Sequence, residues 1–349
     1  MVFSQYLLSV PYSMVWFLLR LFSPKRPVVF YCAELIDYYT FAPVQKQLSS
    51  VSIVSNNPEV IRFLAARGIP CRRLPVFPKA VIMCRHATHK FPFSGIIKIG
   101  MRHGPYHFKR MTKAANYNQF DLFMFTSGKD LEMAVEIGVT VGKAIGFPRL
   151  DPALGGSIST AEIANLRKFL NLNPALPTLL FTATWSKSGM SAVDKWYDKL
   201  GSFIDQYNVL VTLHPWTETK YRDPICATQG VVYVTDADLT PYIMLSDLCI
   251  GDVSSLLAEC SALGKPIVSF KTPRAARSLD EIEELMDMIS VRIGGIDELS
   301  GTIDEVLLDP HKYFPQRDEA NRIMFDDLDG KAGLRAAKEI IRLIPELKP

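Results

Sequence analysis

The chain lacks the glycine signatures of the common nucleotide enzymes. No Gly-x-Gly-x-x-Gly follows its first apolar run, and no Gly-x-x-x-x-Gly-Lys-Ser/Thr occurs anywhere. The first absence argues against a nicotinamide dehydrogenase and the second excludes P-loop chemistry; His-Glu-x-x-His and Gly-x-Ser-x-Gly, the marks of a zincin and a nucleophile-elbow hydrolase, are also missing. Cysteine is scarce. Cys32, Cys71, Cys84, Cys226, Cys249 and Cys260 show no Cys-x-x-Cys spacing, and several sit in apolar runs. That argues against a zinc ribbon or a disulfide framework and for reduced thiols in the cytoplasm. Beyond position 30 no 18-residue run is uninterrupted, which excludes a polytopic membrane protein. Helix-turn-helix, RNP and zinc-finger patterns are absent, so nucleic acid is not an expected partner.

Carboxylates are missing from a long stretch. Residues 60–120 hold twelve Lys/Arg and four of the six His but no Asp or Glu. The net charge of +3 conceals this polarity, because residues 1–150 hold 19 basic and 7 acidic side chains while the remainder holds 20 and 29. A solvated basic face is the plain interpretation; an anionic partner such as lipid or a phosphate polymer is the functional one.

What is present is a large apolar fraction. At 349 residues, 48% hydrophobic and 21% charged, the chain has enough apolar surface for one large or two medium domains and is not disordered. Residues 1–26 form a segment of their own. Met1–Phe22 is rich in Leu, Val, Phe, Tyr and Trp and is followed by Lys25 and Arg26. In a secretory signal the charges precede the apolar region, and Ser4, Gln5, Pro11, Ser13 and Arg20 suit a spanning helix poorly. Trp16 and the tyrosines suit a lipid–water interface, so the segment is expected to be an in-plane or re-entrant anchor; the alternative is a helix packed on the first domain.

From residue 28 short β-rich apolar runs alternate with helical stretches. Strands are expected at Val28–Tyr31, Ser52–Val54, Ala80–Met83, Ile96–Ile99 and Leu122–Phe125, and helices at Thr40–Leu48, Pro58–Ala66 and Lys129–Ile137. A Pro- and Gly-bearing stretch at 146–159 precedes a restart. Strands then follow at Thr178–Thr182, Val209–Leu213, Val231–Val234, Leu248–Ile250 and Pro266–Phe270, with helices near Thr160–Leu170, Ala192–Tyr207, Ser254–Leu263, Leu279–Met288 and Gly330–Ile344. This pattern predicts an α/β protein of two Rossmann-like, doubly wound parallel-sheet domains facing a cleft, 27–155 and 156–349, with ligands at the carboxyl ends of the strands.

Three strand ends carry candidate chemistry. His103, in Arg102-His103-Gly104, follows the Ile96–Ile99 run; an imidazole there is placed to accept a proton from an alcohol, with Arg102, Lys109, Arg110 and Lys113 around it. His107 competes for that role, and an ordinary surface histidine is the bland alternative. His214 closes the run Val209–Leu213 and is placed to donate to a phosphate oxygen, or simply to end a strand before Pro215. In Gly251-Asp252-Val253-Ser254-Ser255 a strand gives way to a helix whose free N-terminal amides make an anion site, with Glu259 within reach of ribose hydroxyls. Plain N-capping by Ser254 uses the same geometry.

These segments, in order, resemble the CDP-glycerol glycerophosphotransferase family of teichoic-acid-type polymer synthesis. The resemblance rests on Arg102-His103-Gly104, Ala144–Asp151, Phe181–Trp185, Leu213-His214-Pro215, the run Ser246–Glu259 continuing to Gly264-Lys265-Pro266, and Asp326–Ala332. It implies a GT-B fold with the nucleotide on the C-terminal domain, His103 as general base and His214 on the donor pyrophosphate. Lys187, Asp252, Ser254, Ser255 and Glu259 are then the expected donor-binding residues, and Arg102, Gly104, Lys109 and Arg149 the acceptor- or phosphate-binding ones. Lys187 stands where the family often has arginine, a point charge in place of a fork. The resemblance implies no cofactor and no obligatory metal, and no Asp/Glu cluster calls for one. The expected reaction moves glycerol phosphate or a related polyol phosphate from a CDP-activated donor to a hydroxyl of a membrane-linked saccharide or polyol-phosphate chain, releasing CMP, at the cytoplasmic face of the plasma membrane. Two alternatives stay open: a GT-B glycosyltransferase or sugar-nucleotide 2-epimerase using a UDP-sugar, and a non-catalytic basic membrane adaptor.

Overall fold

The computed structural model describes residues 3–22, 26–105, 110–275, 278–312 and 314–349. The chain folds into two compact units. One combines the residues up to Gly104 with Met111–Asp151 and Lys331–Pro349; the other is built on Pro152–Gly330.

The first unit carries a seven-stranded, all-parallel sheet. Its strands are β1 (Val28–Tyr31), β2 (Ser52–Val54), β3 (Cys71–Arg72), β4 (Ala80–Met83), β5 (Ile97–Met101), β6 (Leu122–Phe125) and β7 (Gly142–Ala144), in the order β3-β2-β1-β4-β5-β6-β7. The order reverses between β1 and β4, where Val29 pairs with Val81. Every residue of β1, β4 and β6 is buried, because both faces are covered. On one face Phe30, Ile82 and Ile99 pack with Phe41 and with Ala336 and Ile340. On the other, Val29, Val81, Phe123 and Phe125 pack with Trp16 and Phe91.

The helices that flank the sheets and their polar edges include α1 (Phe3–Phe22), α2 (Leu35–Gln45), α3 (Pro58–Ala66), α4 (Gly128–Glu136), α5 (Ser255–Ala262) and α6 (Ala332–Leu343). Helix α3 begins as its sequence dictates: the Asn57 side chain accepts from the Glu59 amide at 3.0 Å and proline holds the first position. Helix α1 is held on the first unit by Tyr12 and Trp16, whose indole donates to the Pro78 carbonyl at 2.8 Å. Among the described residues no helix is long and apolar enough to cross a membrane.

The second unit repeats the scheme with six parallel strands: β8 (Thr178–Ala183), β9 (Asn208–Leu213), β10 (Val231–Tyr233), β11 (Leu248–Gly251), β12 (Ile267–Phe270) and β13 (Val291–Ile293). Their order is β10-β9-β8-β11-β12-β13, reversing between β8 and β11, where Phe181 pairs with Ile250. The expected helix at 192–207 is a correction. Only Val193–Trp196 is α-helical, and a short 3-10 helix at Leu200–Ser202 follows it, with bonds such as Lys199 N to Trp196 O and Ser202 N to Lys199 O closing successive tight turns. The helix-spaced side chains Trp196, Leu200 and Phe203 still reach the core.

The C-terminal boundary also differs from the expected 156–349. Residues 331–349 belong to the first unit, because α6 buries Ala336, Ala337 and Ile340 against the first sheet. The side chain of Asp151 accepts from the amides of Ala332 and Gly333 at 3.1 and 2.7 Å and so caps α6. Gly333 is needed for this packing: a Cβ there would lie 2.9 Å from the Pro43 backbone of α2. The Ala144–Asp151 and Asp326–Ala332 segments therefore include the joint that ties the end of the chain to the first sheet.

Candidate active site

Each unit places polar side chains at the carboxyl edge of its sheet. In the first, His103 follows β5 and is half-buried. Burial, and then the positive charge of Arg85, lower its pKa to about 4; the hydrogen bond to the Cys84 backbone works in the opposite direction. At neutral pH the ring is therefore uncharged, the state a proton acceptor requires.

Arg85 lies just beyond β4, the strand beside β5. Its Nε donates to Asp37 Oδ1 at 3.1 Å, and its second arm reaches Glu34 Oε2 at 2.7 Å. Asp37 is fully buried at the start of α2, where it also accepts from the amides of Ala33 and Glu34, both at 3.1 Å. The Arg85 side chain remains 28% exposed, so a fixed guanidinium sits at the edge that carries His103.

Arg102 is placed otherwise than a phosphate ligand would be. It is 9% exposed, and its guanidinium grips Asp130 with two bonds, Nε–Oδ2 at 3.0 Å and Nη2–Oδ1 at 2.6 Å. It also lies against the Phe125 ring, 5.1 Å from the centroid. Asp130 accepts in addition from the Thr126 amide, and Ser127 caps α4 by accepting from the Asp130 amide at 3.1 Å. Arg102 thus ties the end of β5, just before His103, to the first turn of α4. Gly104 is buried, and Arg149 is buried in the turn Pro148–Leu150 that follows β7. Lys109 lies outside the described residues.

In the second unit the candidates gather at the reversal point. Ser254 is the N-cap of α5, its Oγ accepting from the Leu256 amide at 3.3 Å, and Ser255 is the first helical residue. Both are half-buried, whereas the rest of α5 is buried, Glu259 included. The helix start is the part of α5 open to a ligand. Asp252 is fully buried and bridges two loops: it accepts from the Thr184 amide at 2.8 Å and the Ala192 amide at 2.9 Å. It fastens the loop after β8, which carries Trp185 and Lys187, to the loop after β11.

His214 is exposed beyond β9. Its Nδ1 accepts from the Trp216 amide at 3.1 Å, which makes Nε2 the N–H of the neutral ring and hence a donor. The Trp216 ring stands 5.2 Å from His214 and 5.6 Å from Trp185, edge to face in each case. Lys187 is 63% exposed and lies 3.8 Å from Glu218, a contact weak enough to yield to an anion. Lys265, in the Gly-Lys-Pro segment, bonds the Met244 and Ser246 carbonyls at 2.8 Å and serves the scaffold.

The structure thus brings Lys187, His214, Ser254 and Ser255 to one edge of the second sheet, with Asp252 as the clamp beneath. Sequence reasoning missed Arg85, Asp37, Trp216 and Glu218. Arg85 carries the same signal that found His103, since it lies just past an apolar strand. Among the described residues no three metal-ligating side chains group together.

Two parallel-sheet α/β units fit the GT-B class, as the likeness to a solved structure bears out. The fold is similar to the solved wall teichoic acid polymerase TagF, with a TM-score of 0.67 at 16% identity over 92% of this chain and 90% of that one. It is also similar to UDP-bound MnaA of S. aureus, with a TM-score of 0.66 at 12% identity over 93% and 98%. Residues 114–340 match the family described as CDP-Glycerol:Poly(glycerophosphate) glycerophosphotransferase, and this chain belongs to that family. Curated relatives include the teichoic acid ribitol-phosphate polymerase TarK of Staphylococcus aureus, 21% identical over 278 residues, 75% of this chain and 52% of the relative. The teichoic acid poly(ribitol-phosphate) polymerase of Bacillus spizizenii is 22% identical over 271 residues, 73% of this chain and 42% of the relative. The chain spans about half the length of the curated relatives it matches, or less.

Proposed function

We propose that this chain transfers a polyol phosphate, glycerol phosphate or ribitol phosphate, from a CDP-activated donor to an acceptor hydroxyl. The acceptor oxygen forms a bond to the β-phosphorus, the bond from that phosphorus to the bridging oxygen breaks, and CMP leaves with the bonding pair. His103 takes the hydroxyl proton. The amides and hydroxyls at Ser254 and Ser255, the Nε2–H of His214 and the Lys187 ammonium hold the pyrophosphate and the charge that develops on it. Arg85 and the basic 60–120 stretch attract the anionic acceptor, a saccharide or polyol-phosphate chain linked to lipid, at the cytoplasmic face of the membrane.

The observation that carries this reading is the Trp216 amide on His214 Nδ1. It turns Nε2 into a donor at the sheet edge that also presents the open start of α5. In a member of this family, a donor imidazole at the same sheet edge as an open helix start is suited to a pyrophosphate. The test is turnover, measured as CMP release from CDP-glycerol and CDP-ribitol with a lipid-linked saccharide acceptor. Stoichiometric CMP and a new phosphodiester support the reading. Turnover only with a UDP-sugar would replace it with the glycosyltransferase or epimerase alternative.

A further inference from the structure

Beside His103 stands a second histidine that the proposed chemistry does not use. Strands β4 and β5 are neighbours, and their last pair is Met83 with Gly100. Counted three residues further, that register puts His86 opposite His103 at the carboxyl edge of the first sheet. The two segments stay together past the strands: a ring nitrogen of His103 bonds the Cys84 backbone, and the charge of His86 is felt at His103. That bond favours the protonated ring, so the backbone group is the Cys84 carbonyl and the ring nitrogen donates to it. The other nitrogen of the neutral His103 ring carries the lone pair.

His86 is set in the same state. Its Nδ1 lies 3.2 Å from the carbonyl of Asn116, in the short helix Ala114–Tyr117. A carbonyl can only accept, so Nδ1 bears the hydrogen and Nε2 the lone pair. The ring lies flat against Phe123, with 5.4 Å between centroids and 14° between planes, and meets Tyr117 and Phe120 edge to face at 4.9 and 5.6 Å. The residue is nonetheless exposed. Desolvation by these aromatic neighbours, and the positive charge of Arg102, lower its pKa, against the pull of the Asn116 carbonyl. At neutral pH His86 is therefore an uncharged acceptor, as His103 is.

Two neutral imidazoles on neighbouring strand ends, which run about 4.8 Å apart, offer two lone pairs to one ligand. Lone pairs do not suit an anion. The guanidinium groups of Arg85 and Arg102, felt at His103 and His86, disfavour a metal cation. Two neighbouring hydroxyls of one molecule donate two hydrogens at such a spacing.

We propose that His86 is a specificity-determining residue of the acceptor site: its Nε2 accepts from the hydroxyl next to the one that gives its proton to His103, so that this edge reads a vicinal diol. The inference rests on the proposed function and names the acceptor group that it takes.

The first test needs no nucleotide. Imidazole nitrogen NMR spectra of the full chain are recorded with glycerol 3-phosphate, which ends in a vicinal diol, and with 3-hydroxypropyl phosphate, which lacks the middle hydroxyl. The His86 signals are identified by their loss in His86→Gln. The diol is expected to move the Nε2 signal of His86, and the analogue to leave it in place. Equal movement with both, or none with the diol, overturns the proposal. The second test is transfer to an acceptor ending in glycerol phosphate. His86→Phe keeps the aromatic stack and removes the acceptor nitrogen, whereas His86→Gln gives up the stack and keeps an acceptor oxygen near the Nε2 position. Loss of one hydrogen bond to a neutral hydroxyl is expected to raise the acceptor KM about 3–10-fold in His86→Phe. The donor KM and kcat are expected to change little, and His86→Gln to hold the parent acceptor KM. The reverse ranking, His86→Phe at the parent value and His86→Gln impaired, would reduce His86 to packing and overturn the proposal. Turnover with UDP-sugars alone would remove the transferase reading, and the spectra would still decide whether this edge binds a diol.

Discussion

Arg102 and Asp130 form a two-bonded pair in the interior of the first unit, at 3.0 and 2.6 Å, with 9% and 2% of the side chains exposed. Asp130 sits in the first turn of α4, and Arg102 directly precedes His103. The pair joins the end of β5 to that helix and so sets where the imidazole stands. Removing one partner strands the other as a buried charge, which costs about 3–5 kcal/mol. Arg102→Met is therefore expected to lower the urea unfolding free energy of the first unit by that amount. Arg102→Met with Asp130→Leu is expected to recover part of it, because no lone charge remains. A single variant as stable as the parent would show that the pair does not hold the site.

His103 as proton acceptor predicts a fall in kcat of about 10²–10⁴-fold in His103→Ala. Its pKa of about 4 places the acid limb of kcat/KM near that pH. Arg85 disfavours the imidazolium, so Arg85→Met raises the His103 pKa and should move the acid limb to higher pH. A limb that stays in place would dissociate Arg85 from His103.

Asp252 acts through the loop it fastens. In Asp252→Asn one of the two amide contacts meets an NH2 group in place of an oxygen, leaving a buried donor unsatisfied at a cost of about 1–3 kcal/mol. The loop bearing Trp185 and Lys187 is then less firmly set, and nucleotide affinity should fall more than kcat. Titration of the variant with CMP checks this, and unchanged affinity with lowered stability would reduce Asp252 to a scaffold role.

Trp216 is 69% exposed and stands beside His214, so a ligand at that imidazole should alter its emission. Donor binding is expected to change intrinsic fluorescence in the parent and to lose most of that change in Trp216→Phe. An equal change in both would put the ligand elsewhere.

Much of the fold was legible because central parallel strands are apolar on both faces. Val28–Tyr31, Ala80–Met83 and Leu122–Phe125 are strands at the residues their composition marks. Cys71–Arg72, Gly142–Ala144 and Val291–Ile293 escaped notice because two- or three-residue edge strands, covered on fewer sides, need no apolar run. The last helix was legible as a helix but not as part of the first unit, since its cap, Asp151, lies 181 residues away from Ala332. The places of His103 and His214 just past strand ends were legible. The burial of Arg102 was not, because a partner 28 residues on decides whether a guanidinium faces a ligand or a carboxylate. The same limit hid the Asp37–Arg85 clamp, formed across 48 residues.

The central claim is that the open start of α5 holds a cytidine nucleotide. Calorimetric titration of the parent and of Ser255→Ala with CMP, CDP-glycerol, CDP-ribitol, UDP and UDP-GlcNAc tests it most directly. The account predicts cytidine-selective binding that weakens in Ser255→Ala, and uridine-selective binding, or none of these nucleotides binding, would contradict it.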